Sequence, residues 1–192
     1  MEVDEIVAKV WGPKEEAVYN TRKSPPGSRE KILDVIAKSA YNNNRAFEGC
    51  TRCVLLALQT YLHIEDEGTL RASTAMAAGV ARMGETCGAL LGGIMAIGLV
   101  RGRAELEDFD AYVETMKMGV EMFNRFKEKM GSPKCFDIQE KFLGRRFNFF
   151  NEEDREAWYK GGGIEICPWV CGEAARMAAD IILKHQESIM GR

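Results

Sequence analysis

Gly84-Glu85-Thr86-Cys87-Gly88-Ala89-Leu90-Leu91-Gly92-Gly93 opens a run of small and apolar residues that continues through Ile94, Met95, Ala96 and Ile97 to about Val100. Gly88, Gly92 and Ala96 recur every four residues, as do Ala89, Gly93 and Ile97. That spacing predicts one helix with a nearly flat face, which other backbones can approach closely. Glycine inside a helix costs about 1 kcal/mol relative to alanine. Close packing is the first explanation for so many, with room for something beside Cys87.

Helical patterns continue on both sides of this run. Residues 2–11 carry one apolar stripe, stopped by Gly12-Pro13, and a second short helix precedes the turn Ser24-Pro25-Pro26-Gly27. Residues 1–27 therefore read as an N-terminal helical arm, and residues 28–192 as the cysteine-bearing helical domain. After Ser28, an N-cap residue type, a helix is expected to close at the polar stretch 41–44. The next begins near Phe47, carries Cys50 and Cys53, and is apolar around most of its circumference, which makes it central. An alanine-rich helix follows over 70–80. Residues 107–130 hold apolar positions 109, 112, 113, 116, 120, 123 and 126, a clear helical stripe for a long helix. Gly131-Ser132-Pro133 stops that helix and places Cys135 in the first turn of another. Residues 144–163 are irregular apart from a short acidic helix. Pro168 is expected as the first residue of the last helix, in which Cys171, Ala174, Ala178 and Ile182 form the buried side. No alternating strand pattern exceeds four residues, so the predicted fold is an all-α, single-domain bundle around the glycine-rich helix.

A chain of 192 residues can bury enough surface to fold without a disulfide or metal. Its net charge of −3 gives no support for nucleic acid or an anionic membrane as partner. The low-charge run 86–100 is too short to span a bilayer. The acidic start lacks a basic leader, so a cytoplasmic location is expected. In that reducing setting structural disulfides are uncommon, and six cysteines need another explanation. With two histidines in the chain, any metal site would be dominated by thiolates.

Cys50, Cys87, Cys135 and Cys167 each fall near a predicted helix start, where unpaired N–H groups and the dipole favour thiolate. Thiolates that converge without a cation repel one another, so convergence implies a soft metal centre or disulfide exchange. Cys50-Thr51-Arg52-Cys53 is a C-x-x-C that lacks the following histidine of c-type haem attachment, and no second C-x-x-C completes a zinc ribbon. Cys167-Pro168-Trp169-Val170-Cys171 places two sulfurs on one helix face if Cys167 is helical.

These residues resemble the redox-active protein family named for the motif Cys…Gly-Cys-Ala-x-x-Gly…Cys…Cys. The resemblance rests on the Cys50 helix, the block from Leu70 to Arg103, Cys135 and the Cys167 region, about residues 30–185. It aligns the family's cysteines with Cys50, Cys87, Cys135 and either Cys167 or Cys171, and its glycines with Gly84, Gly88 and Gly92. The central motif here reads Cys87-Gly88-Ala89, not Gly-Cys-Ala, and Cys53 is an extra thiol. A related domain occurs in haem-containing electron-transfer cytochromes, associated with an iron–sulfur centre. The resemblance therefore implies a cysteine-ligated iron–sulfur cluster, with Gly84 and Gly88 letting backbone N–H groups approach its sulfide.

Three readings follow. The first is an iron–sulfur protein of electron transfer or redox sensing that works with a redox partner protein. The second is a metal-free thiol–disulfide oxidoreductase in which Cys50 and Cys53, or Cys87 with a partner, cycle between dithiol and disulfide, and the third a structural zinc domain. On the first, Cys87→Ser is the substitution expected to abolish the site, with Arg52 and Arg82 available to offset its charge. The flat glycine face could pack within the chain or across a homodimer.

Overall fold

A computed structural model describes residues 28–190 of the protein, so the N-terminal arm read at 1–27 lies outside the described residues. Eight α-helices follow in order: α1 (Arg29–Phe47), α2 (Cys50–Leu62), α3 (Glu67–Ala72), α4 (Gly88–Arg101), α5 (Phe109–Met130), α6 (Cys135–Leu143), α7 (Glu152–Lys160) and α8 (Gly163–Met190). Among the described residues there is no strand, and a lone antiparallel bridge joins Thr86 and Lys134. The fold is all-α, as the periodicity predicts.

Helix α8 packs against α1, α2, α4 and α5, the glycine-rich α4 is flanked by α2, α5 and α8, and α1 lies along α2 and α8. The two small-residue rows of α4 face different neighbours. A Cβ on Gly92 would lie 2.6 Å from the Thr51 carbonyl oxygen and 3.0 Å from Val54 Cβ, both on α2. A Cβ on Gly93 would lie 2.7 Å from Met122 Cε of α5 and 3.2 Å from Ala178 Cβ of α8. The glycine face is thus used inside the chain, and the homodimer contact considered for it does not arise there.

Several boundaries differ from the sequence reading. Helix α1 runs past the polar stretch 41–44 to Phe47, because Tyr41 and Asn44 are buried. Glu48 and Gly49, both at positive φ, make the break before α2. The helix expected over 70–80 is instead α3, capped by Asp66 Oδ1 accepting from the Thr69 N–H, and a 3-10 turn over Ser73–Met76. Helix α8 starts at Gly163, a full turn before Pro168. Proline cannot donate to the carbonyl four residues back, and Arg45 Nη1 donates to that orphaned Ile164 oxygen at 3.4 Å.

The buried residues of α5 are Ala111, Met118, Met122, Phe126 and Met130, and of the apolar stripe read from the sequence Phe126 alone is among them. The rest of that stripe is exposed, from 38% at Phe123 to 68% at Phe109.

Candidate functional site

Three of the cysteines sit at helix starts. Cys50 and Cys135 are the first residues of α2 and α6, and Cys87 is the N-cap of α4. Cys167 lies in the second turn of α8 rather than at its start. The bridge at Thr86 and Lys134 joins two of these segments directly. Cys87 N–H donates to the Pro133 oxygen at 2.8 Å, and Cys135 N–H to the Glu85 oxygen at 2.7 Å. Packing of α2 and α8 against α4 brings in the other two.

Cys50, Cys87, Cys135 and Cys167 line one cavity of about 20 Å³, room for about one water. Its remaining wall is apolar apart from Gln139. Cys50, Cys135, Cys167 and Gln139 also line a second cavity of about 890 Å³, whose other walls include Ala78, Arg82, Phe149 and Trp158. All six cysteines are free thiols. Cys171 lines neither cavity, but its Sγ faces the Cys50 backbone oxygen at 3.9 Å. Cys53 also lines neither, and its thiol donates to the Glu48 oxygen at 2.9 Å.

Cys50 differs from the other thiols in its electrostatics. Hydrogen bonds from the Cys167 and Cys171 thiols, with the N–H groups of Ala78 and Cys50 itself, hold it well below the ordinary thiol range despite burial. Burial and the charge on Cys50 push Cys53 and Cys87 up to about 12. At Cys87 the Ala89 and Leu90 N–H groups act in the opposite direction, so the helix start works as expected there but is outweighed by desolvation. Cys135 is raised chiefly by burial, and Cys167 chiefly by its hydrogen bond to Cys50. Within the cage the group most disposed to ionise is therefore Cys50 rather than Cys87.

Ala78 reaches Cys50 through an unusual backbone. Ala78, Val80, Ala81 and Arg82 all have φ between 50 and 68°, with Gly79 at 74°. Left-handed geometry costs roughly 1–2 kcal/mol per non-glycine residue, and such strain concentrates at functional sites. Surrounding hydrogen bonds hold it, including Ala81 N–H to the Ala75 oxygen at 2.7 Å and Glu85 N–H to the Gly79 oxygen at 2.9 Å.

The two glycines expected to serve a ligand have packing roles here. Gly84 N–H donates to the Ala78 oxygen at 3.2 Å, so it is not free to approach a cofactor. A Cβ on Gly84 would lie 2.2 Å from the Phe136 ring, at a φ of 75°. A Cβ on Gly88 would lie 2.6 Å from Thr51 Oγ1 and 3.2 Å from Cys50 Cβ. That contact gives the reversed order Cys87-Gly88 a physical basis, because a side chain at 88 would collide with the start of α2. Thr51 Oγ1 itself is buried with no hydrogen-bond partner.

Sequence reasoning did not find Gln139. It is 2% exposed, donates to Cys135 Sγ at 3.5 Å and accepts from the Phe147 N–H at 3.0 Å. Its spacing of four from Cys135 was the available signal. Arg82 does line the large cavity, whereas Arg52 is exposed and acts on Cys53. Glu85, near Cys87 in sequence, pairs with Lys134 at 3.4 Å.

Alkylation measures the Cys50 assignment. With its thiolate favoured over those of the other cysteines, iodoacetamide is expected to label Cys50 first, at a rate that falls less steeply between pH 8 and pH 6 than an ordinary thiol's, as read by peptide mass. An ordinary thiol loses about tenfold per pH unit over that interval, and such a decline at Cys50 would contradict the assignment.

Comparison with known families matches residues 49–181 to the family described as "Putative redox-active protein (C_GCAxxG_C_C)". No curated protein and no solved structure matches the chain. No described helix is long and apolar enough to cross a membrane. With the match spanning α2 through most of α8 and all six cysteines, the chain belongs to the C_GCAxxG_C_C redox-active protein family.

Proposed function

We propose that the cage of Cys50, Cys87, Cys135 and Cys167 is the redox centre of this protein and ligates an iron–sulfur cluster used in electron transfer or redox sensing. The observation that carries this reading is the meeting of four cysteines from four separate segments at one cavity. A dithiol exchange site needs two.

The donor chemistry suits the group. The wall offers soft sulfur and neither imidazole nor carboxylate, the set that selects iron–sulfur centres or zinc. The volume does not suit it as the thiols stand: the cage has room for about one water. Among the described residues no three His, Cys, Asp or Glu side chains are placed to hold a metal ion. Cys50, Cys135 and Cys167 also face the cavity of about 890 Å³, the side toward which the thiols can part. Bound there, the cluster would supply a reversible one-electron couple. The protein's own part is to supply thiolate at Cys50, to aim the Gln139 and Ala78 N–H groups at sulfur, and to keep an apolar wall on the far side. Hydrogen bonds to sulfur and burial are the levers that set such a potential.

A second reading is supported by the hydrogen bonds of Cys167 and Cys171 to Cys50. In a metal-free exchange the Cys50 thiolate attacks an external disulfide and releases one thiolate. The Cys167 thiol then loses its proton and attacks the mixed disulfide, freeing the second thiol and leaving Cys50 bonded to Cys167. Cys53 is poorly placed for this role because its thiol is bonded to Glu48.

Anaerobic purification separates the two. The cluster reading expects iron, acid-labile sulfide and broad absorption near 400 nm. Colourless protein without sulfide, losing two protons in mass on mild oxidation, would replace it with the exchange reading.

A further inference from the structure

Helix α5 has two apolar sides, and the described residues cover only one of them. Met118, Met122, Phe126 and Met130 pack into the core. On the other side Phe109, Val113, Met116, Val120 and Phe123 are 68, 45, 50, 55 and 38% exposed. Their spacing alternates four and three, the a/d seam of a coiled coil. Isolated exposed apolar residues are ordinary on a surface, but a continuous row marks an interaction site.

Two further observations indicate what covers the row. Gly119 lies in mid-helix, and nothing lies within 4 Å of the Cβ it lacks. Among the described residues it therefore weakens the helix without a packing reason, whereas a second helix crossing there could approach closely. Charge is also divided along the helix. Residues 105–114 hold five carboxylates and no Lys or Arg, while 125–129 hold three cations and one carboxylate.

We propose that a second copy of this chain covers the seam, with the two α5 helices antiparallel about a two-fold axis near Met116 and Val120. Antiparallel pairing sets the acidic start of each helix against the basic end of the other, and a parallel pair would align like charges. In this register Val113 meets the partner's Phe123, and Asp110 lies beside the partner's Lys127. The contact is isologous and closes as a dimer. It is separate from the cysteine cage and does not depend on the proposed cofactor.

Light scattering of the full chain after gel filtration, with thiols reduced, tests this. The wild type is expected at twice the 21.5 kDa chain mass. Met116→Glu and Val120→Glu, both at exposed positions, are expected at the mass of one chain with unchanged helical circular dichroism. Lys127→Glu should shift the equilibrium toward monomer, and adding Asp110→Lys should restore the dimer. A monomeric wild type overturns the proposal, whether residues 1–27 or nothing then covers the seam. A dimer that survives both glutamate substitutions overturns it as well.

Discussion

Cys50→Ser is expected to lower iron and sulfide incorporation by more than the roughly 10–100-fold that loss of an outer-shell partner costs a metal site. Serine is a hard oxygen donor that stays protonated at neutral pH, so it replaces neither the thiolate nor the soft ligand. The substitution also removes the acceptor shared by the Cys167 and Cys171 thiols and the Ala78 N–H. The fold should survive, since Cys50 is only partly buried and the apolar residues of α2 remain. Circular dichroism and the absorbance near 400 nm of reconstituted protein measure both points. A full-strength centre in the variant would remove Cys50 from the site.

Gly92→Ala is expected to destabilise the protein by about 1–3 kcal/mol, in the range of overpacked cores. Its Cβ would come within 2.6 Å of the Thr51 carbonyl oxygen, a backbone atom in the first turn of α2 that cannot rotate away. Relief requires α2 and α4 to separate, which loosens the start of α2 where Cys50 lies. Gly98→Ala in the same helix has nothing within 4 Å of the new carbon and is expected to stabilise by up to about 1 kcal/mol through helix propensity alone. Chemical denaturation of the pair measures this. If both variants were equally destabilised, the close approach at Gly92 would not be what the glycine is for.

The two packing rows of α4 were legible because small residues at four-residue spacing state directly which faces are approached. The stripe of α5 was legible as a helix but not as a direction. Apolar residues lie on both sides, and periodicity does not say which one meets the core. The start of α8 was misplaced because Pro168 is tolerated in a second turn only with Arg45 beside the freed Ile164 oxygen, a pairing between residues 119 apart in sequence. The left-handed stretch 78–82 had no local signal. Alanine and valine favour other conformations, and only the surrounding hydrogen bonds hold them there. At the site itself, the cysteine types and their helix starts were readable. That desolvation outweighs the helix ends at Cys87, and that Cys50 collects the hydrogen bonds, depends on burial and contacts between distant segments.

Iron and acid-labile sulfide per chain, measured anaerobically on the wild type and on each of the six single Cys→Ser variants, tests the central claim most directly. A cluster held by the cage gives a loaded wild type, loss of loading at Cys50, Cys87, Cys135 and Cys167, and retention at Cys53, whose thiol is turned to the Glu48 oxygen. An unloaded wild type, or loss at Cys53 equal to that at the four cage cysteines, would contradict it.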